Sequence, residues 1–185
     1  MTTTEMLSIA IIVVLVLVVA YLIMRARASR KLRDQFGPEY SRAVDETGAR
    51  GKAENELIAR QKRVRQYNVK PLSPVDQQRC LADWRAIQAR FVDNPRDAAE
   101  RADSLLGEVM TLRGYPEGGF DQRLEDLSVD HADAVQNYRD AHGVMQRRAR
   151  GEASTEDMRQ AMLHYRTLFE ELVGSGDPSQ LRAVS

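Results

Sequence analysis

Three histidines, one cysteine and a few acidic neighbours are the residues of this chain whose types suit catalysis or metal binding. His131 and His142 lie eleven positions apart, so on one helix their directions would differ by only about 20°. Eleven residues rise about 16 Å, whereas two imidazole nitrogens must both come within about 2.1 Å of a zinc ion. The two cannot share a metal without ligands from elsewhere, and the chain has no Cys-x-x-Cys to supply them. His164 falls at the edge of an apolar helical stripe. Asp130-His131 could move a proton, but an aspartate cap beside a histidine is the plainer reading. Cys80 as a nucleophile would need a base and an electropositive pocket. Its helical position instead sets it on an apolar face with Trp84, which reads as core rather than as a platform for a ligand.

The glycine-rich stretches are equally plain. Gly114 to Gly119 has no following Gly-Lys-Ser/Thr and is no phosphate-binding loop, and Gly174-Ser175-Gly176 lacks the spacing of a nucleophile elbow. No catalytic residue, metal or cofactor is expected. Nucleic acid is not expected either. The basic group Arg60, Lys62, Arg63 and Arg65 is short, and the chain beyond Lys70 is acidic.

The elements that hold these residues begin with a membrane segment. Met6 to Met24 is nineteen residues without a charge; as a helix it spans about 28 Å, close to the thickness of a bilayer's hydrocarbon core. Backbone groups inside lipid must pair within the segment, so it must be helical despite its many valines and isoleucines. A cleaved signal peptide would have a basic start and a shorter apolar core. Here Met1 to Glu5 carries no Lys or Arg, although Ala26-Arg27-Ala28 imitates a cleavage site. Arg25, Arg27, Arg30, Lys31 and Arg33 crowd the C-terminal flank, which places that flank in the cytoplasm and residues 1–5 outside. Tyr21 sits where an interfacial aromatic belongs. Residues 6–33 are thus expected to contact membrane lipids, with Tyr21 and the five basic side chains at the headgroups.

The whole chain is neutral, but its charge is divided. From Arg25 to Lys70 there are 13 Lys/Arg against 6 Asp/Glu, a net of +7; from Pro71 to Ser185 there are 14 against 20, a net of −6. A solvated, basic helical stalk over 25–70 is expected, jointed at Gly37-Pro38 and near Gly48 and Gly51. Asn68 to Pro74 separates it from a bundle of four or five helices over 71–173, followed by a loose tail over 174–185. Ser73-Pro74 starts the bundle's first helix, with Cys80, Leu81, Trp84, Ile87 and Phe91 on one face. Ala98, Ala102, Leu105, Leu106, Val109 and Leu112 form the stripe of the second. A short segment reaches about Leu127, and Ser128 to Asp130 cap a helix with Val135, Tyr138, His142 and Met145 on its face. Ser154-Thr155-Glu156-Asp157 opens the last helix, whose stripe is Met158, Met162, Tyr165, Phe169 and Leu172. No apolar run of period two follows the anchor, so the fold class is all-α. The single cysteine excludes an intrachain disulfide, in keeping with a reducing compartment.

The segments Arg33-Asp34-Gln35-Phe36-Gly37-Pro38-Glu39-Tyr40-Ser41-Arg42-Ala43-Val44, Leu127-Ser128-Val129-Asp130-His131 and Ser154-Thr155-Glu156-Asp157-Met158-Arg159-Gln160-Ala161-Met162 resemble a family of uncharacterised bacterial proteins with one N-terminal anchor and a helical remainder. The resemblance covers most of the chain after the anchor and implies a bacterial inner-membrane setting, with no activity or site residues to carry over. The expected function is a non-catalytic, membrane-anchored module that positions or recruits a cytoplasmic protein. The alternatives are an accessory subunit of a larger membrane complex and, behind that, an enzyme assembled around Asp130, His131 and His142.

Overall fold

The computed structural model describes residues 3–174. Eight α-helices and no strand occur among them, so the fold is all-α. The chain divides into two compact units, Met1–Leu57 and Ile58–Ser185.

The first unit opens with α1 (Thr3–Phe36). Its apolar part has a mean hydropathy of 2.4, and it alone among the described helices is long and apolar enough to cross a membrane. The large apolar side chains from Ile11 to Met24 are 47–70% exposed, so the protein's own fold does not cover them. Below Met24 the helix changes character, and Ser29, Leu32 and Phe36 are buried. These follow one another at helical spacing on a single face. The helix stops at Gly37, whose φ of 47° is left-handed and strained for any side chain, and Pro38 then begins α2 (Pro38–Thr47). α2 packs on α1 and buries Tyr40 and Ala43. α3 (Arg50–Val64) follows and contains the boundary between the units. A wholly solvated stalk is therefore not what residues 25–70 form. Leu32, Phe36, Tyr40, Ala43, Ala53, Leu57 and Val64 are all buried. Each helix offers only two or three such residues between polar ones, too few to form a periodic stripe in the sequence.

The second unit begins before Asn68–Pro74, because residues 58–70 are tied into it. Arg63 reaches Glu125 and Asp126, Tyr67 donates to Asp126, and the Lys70 amide donates to the Arg113 carbonyl at 2.8 Å. α4 (Pro74–Arg90) starts as expected, with Ser73 Oγ accepting from the Asp76 amide at 3.1 Å. α5 (Pro95–Arg113) is capped in the same way by Asn94. It ends at Gly114, where φ is 96° and a Cβ would collide with the Asn68 carbonyl. α6 (Phe120–Asp130) and α7 (Ala132–Ala149) meet at His131. Ser128 to Asp130 thus lie in the last turn of α6 rather than capping α7. Ser128 Oγ donates to the Glu125 carbonyl one turn back, which lets the hydroxyl stay inside the helix. α8 (Thr155–Gly174) opens with a reciprocal cap: Ser154 Oγ accepts from the Asp157 amide, and Asp157 accepts from the Ser154 amide.

α8 lies against α7 and α5 and also meets α4; α4 packs on α5, and α6 on α7. Ala98, Ala99 and Ala102 are fully buried and let helices come close to α5. Trp84 stacks on Phe169 with ring centroids 4.7 Å apart and planes 13° from parallel. The expected stripe of α8 is buried throughout. Leu81, Phe91 and Leu112 are only half-buried, because each lies near the margin of its helix's packed face. The tail from residue 175 lies outside the described residues.

Candidate functional site

Tyr21, Arg25, Arg27, Arg30, Lys31 and Arg33 are all exposed on α1, but not equivalently. Arg25 stands four residues before Ser29, seven before Leu32 and eleven before Phe36, so it continues the buried face toward the apolar segment. Arg27, Arg30 and Lys31 lie on other sides of the helix. The Arg33 guanidinium sits 5.3 Å from the centre of the Tyr40 ring, a cation–π contact inside the unit.

Beneath Arg25 the helices are joined by a polar clamp. Ser29 is 3% exposed, and its hydroxyl is engaged by Tyr40, Glu54 and Arg50. Tyr40 donates to Glu54 Oε1 at 2.8 Å, and Arg50 Nε donates to the same oxygen at 2.9 Å and to the Tyr40 hydroxyl at 3.0 Å. Burial alone would raise the Glu54 carboxyl. The hydrogen bonds from Ser29, Tyr40 and Arg50, with the guanidinium's charge, outweigh burial and hold it below the ordinary value. With its hydroxyl shared three ways, Ser29 is a fastener and not a nucleophile. Arg50 and Glu54, four apart on α3, were legible as an ion pair; Ser29 and Tyr40 are brought to them only by the turn at Gly37.

In the second unit the residues first considered for chemistry are dispersed. His131 Nδ1 pairs with Glu171 Oε1 at 2.6 Å, at the junction of α6 and α7. His164 Nδ1 lies 2.9 Å from Asn137 Oδ1. The His142 ring stacks on Phe120 at 3.6 Å, and burial, aided by the Arg123 charge and opposed by Asp103, pushes its pKa down. Asp130 is exposed. Cys80 is 1% exposed, and burial pushes its thiol up, away from the reactive thiolate. Among the described residues no three His, Cys, Asp or Glu side chains gather as metal ligands. Two of the basic residues considered for nucleic acid are engaged within the protein: Arg63 is bound to Glu125 and Asp126, and Arg60 is buried with its guanidinium 3.7 Å from Glu125.

No protein-family model, curated protein or solved structure matches this chain.

One constellation is assembled only by the fold. Asp103 on α5, Arg123 on α6, Tyr138 on α7 and Tyr165 on α8 converge inside the second unit. Arg123 Nη2 is 3.7 Å from Asp103 Oδ2, and its guanidinium carbon stands 6.0 Å from the Tyr138 ring centre. Both phenols are fully buried without a hydrogen bond of good geometry, although the Asp103 carboxylate lies close to each. Burial first, and then that carboxylate, drive both phenol pKa values strongly upward, so they are neutral donors at any physiological pH. Asp103 and Arg123 also line an open cleft of about 470 Å³ with Arg79, Glu108 and Glu117. Its charges are mixed and favour no ligand class. The four residues come from four helices at unrelated spacings, so no motif could reveal them.

Proposed function

We propose that this protein is a non-catalytic, membrane-anchored helical module that positions or recruits a cytoplasmic protein. The observation that carries the anchor is the uncovered apolar surface of α1, continuous from Ile11 to Met24 and followed at once by Arg25 and Arg27. An exposed apolar surface of that length is not tolerated in water, and a helix is a backbone form that lipid accepts. The basic flank supports an orientation with the N-terminus outside and the helices after Arg25 in the cytoplasm. The resemblance read from the sequence favours the bacterial inner membrane. The recruiting role is supported by the architecture: an anchor that carries a separately packed bundle, in which the histidines and Asp130 occupy separate surroundings.

Protease added to intact spheroplasts tests the topology. The region from Val75 onward is expected to survive until the membrane is opened, and its loss in intact spheroplasts would overturn the cytoplasmic orientation. Replacing residues 6–24 with an unrelated anchor tests the role. Recruitment by tethering tolerates the exchange, whereas an accessory subunit held through its own membrane helix does not.

A further inference from the structure

We infer that the cleft between α1 and the start of α3 binds the phosphate of an anionic phospholipid headgroup. The inference rests on the reading that α1 lies in a bilayer. The cleft has a volume of about 740 Å³ and lies where the apolar segment ends, with Tyr21, Met24 and Arg25 on one wall and Gly51, Lys52 and Asn55 on the other. Arg25 and Lys52 have no carboxylate within ion-pair distance among the described residues. Arg50 is held in the clamp and lines a neighbouring cleft with Arg25 and Glu54. Against Arg25 and Lys52 the cleft's lining sets one carboxylate, Glu54, which is already engaged by Ser29, Tyr40 and Arg50.

The start of α3 strengthens the case. Its first turn carries Arg50 and Lys52 and no acid, although the positive end of a helix dipole favours negative charge. An anion in the cleft answers the unbalanced cations and the dipole together. Only a lipid places such an anion there while its acyl chains run beside Tyr21, Met24 and the exposed residues above them. The charge pattern also separates this site from simple attraction to a negative surface. Arg27, Arg30 and Lys31 serve the latter from other sides of α1, whereas Arg25 shares its site with Lys52, twenty-seven residues away in sequence.

The full chain is reconstituted into vesicles of phosphatidylcholine, alone or mixed with phosphatidylglycerol, and the lipids it retains on extraction are read by native mass spectrometry. The wild type is expected to retain phosphatidylglycerol selectively. The double variant Arg25→Gln/Lys52→Gln should lower that retention about 10- to 30-fold, the effect of two nearby cations. The variant Arg27→Gln/Arg30→Gln removes the same charge outside the cleft and should leave retention near wild type. Equal losses in both variants would overturn the inference, as would displacement of the lipid by inorganic phosphate at the same affinity, which would mark a site for the free ion. Flotation with both kinds of vesicle is the separate control for the anchor. A chain that floats with neither has lost the membrane reading itself, whereas one that floats with both but shows no cleft-dependent retention has lost only the headgroup site.

Discussion

The first unit fastens its helices with a polar clamp around one serine, whereas the second fastens them with aromatic and aliphatic side chains from five helices. In the first, Ser29, Tyr40, Arg50 and Glu54 satisfy one another, and the apolar core beside them is small. In the second, Trp84, Tyr138, Met158, Tyr165, Leu168 and Phe169 are almost wholly buried, and polar groups also close the helix ends. Arg113 donates to the Leu172 carbonyl at 2.9 Å and Gln77 to the Val173 carbonyl at 3.0 Å, satisfying groups that the end of α8 leaves open. The difference follows from composition. Residues 25–57 of the first unit, with 8 Lys/Arg among 33, cannot bury much apolar area, so hydrogen bonds carry their specificity. Hydrogen bonds contribute less than packing, roughly 0.5–1.5 kcal/mol each in net terms. The first unit is thus the part whose helices depend most on their polar contacts.

Substitutions that strike the two devices separately should give effects of different size. The largest belongs to the stacked pair of the bundle. Trp84→Ala or Phe169→Ala should destabilise the second unit by about 3–5 kcal/mol, read from denaturant unfolding followed by circular dichroism. A loss below about 1 kcal/mol would show that the pair is not central to packing.

Next comes the polar tie at the start of the second unit, where Asp126 is 1% exposed and accepts from Arg63, Tyr67 and Gln122. Asp126→Asn removes the charge these donors face and should cost about 1.5–3 kcal/mol in the same measurement. Amide exchange over residues 58–70 should rise with it, and unchanged exchange there would place that segment outside the unit.

Ser29→Ala opens the clamp and should cost about 1–2 kcal/mol. Faster amide exchange across Pro38–Thr47, with α8 unaffected, is the expected pattern. If exchange rises in α8 as well, the two units do not respond as separate bodies.

The smallest effect is in pH dependence. Glu54 is depressed in the folded protein, so its contribution is intact above the unfolded carboxyl value of about 4.3 and is lost as the pH falls through the lower folded one. His142 is also depressed, so its contribution is full above the unfolded value of about 6.5 and is lost as the pH falls through its own folded value. Mild acidification should therefore weaken the second unit before the first, and His142→Gln should remove that early phase. Local exchange rates recorded across the titration check the order.

Much of this fold was legible because helices announce themselves locally. The apolar run of α1, the Pro38 and Ser73-Pro74 starts, the Ser154–Asp157 cap and the stripe of α8 each depend on residues within one or two turns. The structure departs from the local pattern where that pattern is compatible with two outcomes. Ser128 to Asp130 resembles a cap, but the buried Ser128 hydroxyl bonds back to Glu125 and α6 simply continues. Residues 25–70 look polar throughout, yet sparse apolar positions on α1, α2 and α3 are buried.

The sequence by itself determined the helical class, the one bilayer-length segment and the charge step at Arg25, because composition and 3.6-residue periodicity act through neighbours in the chain. Only the tertiary structure decided that Arg25 faces Lys52, that Ser29 meets Tyr40 and Glu54, and that Asp103 lies among Arg123, Tyr138 and Tyr165. Those meetings depend on how helices turn and pack, and side chains on separate helices leave no periodic mark of the partners they will find.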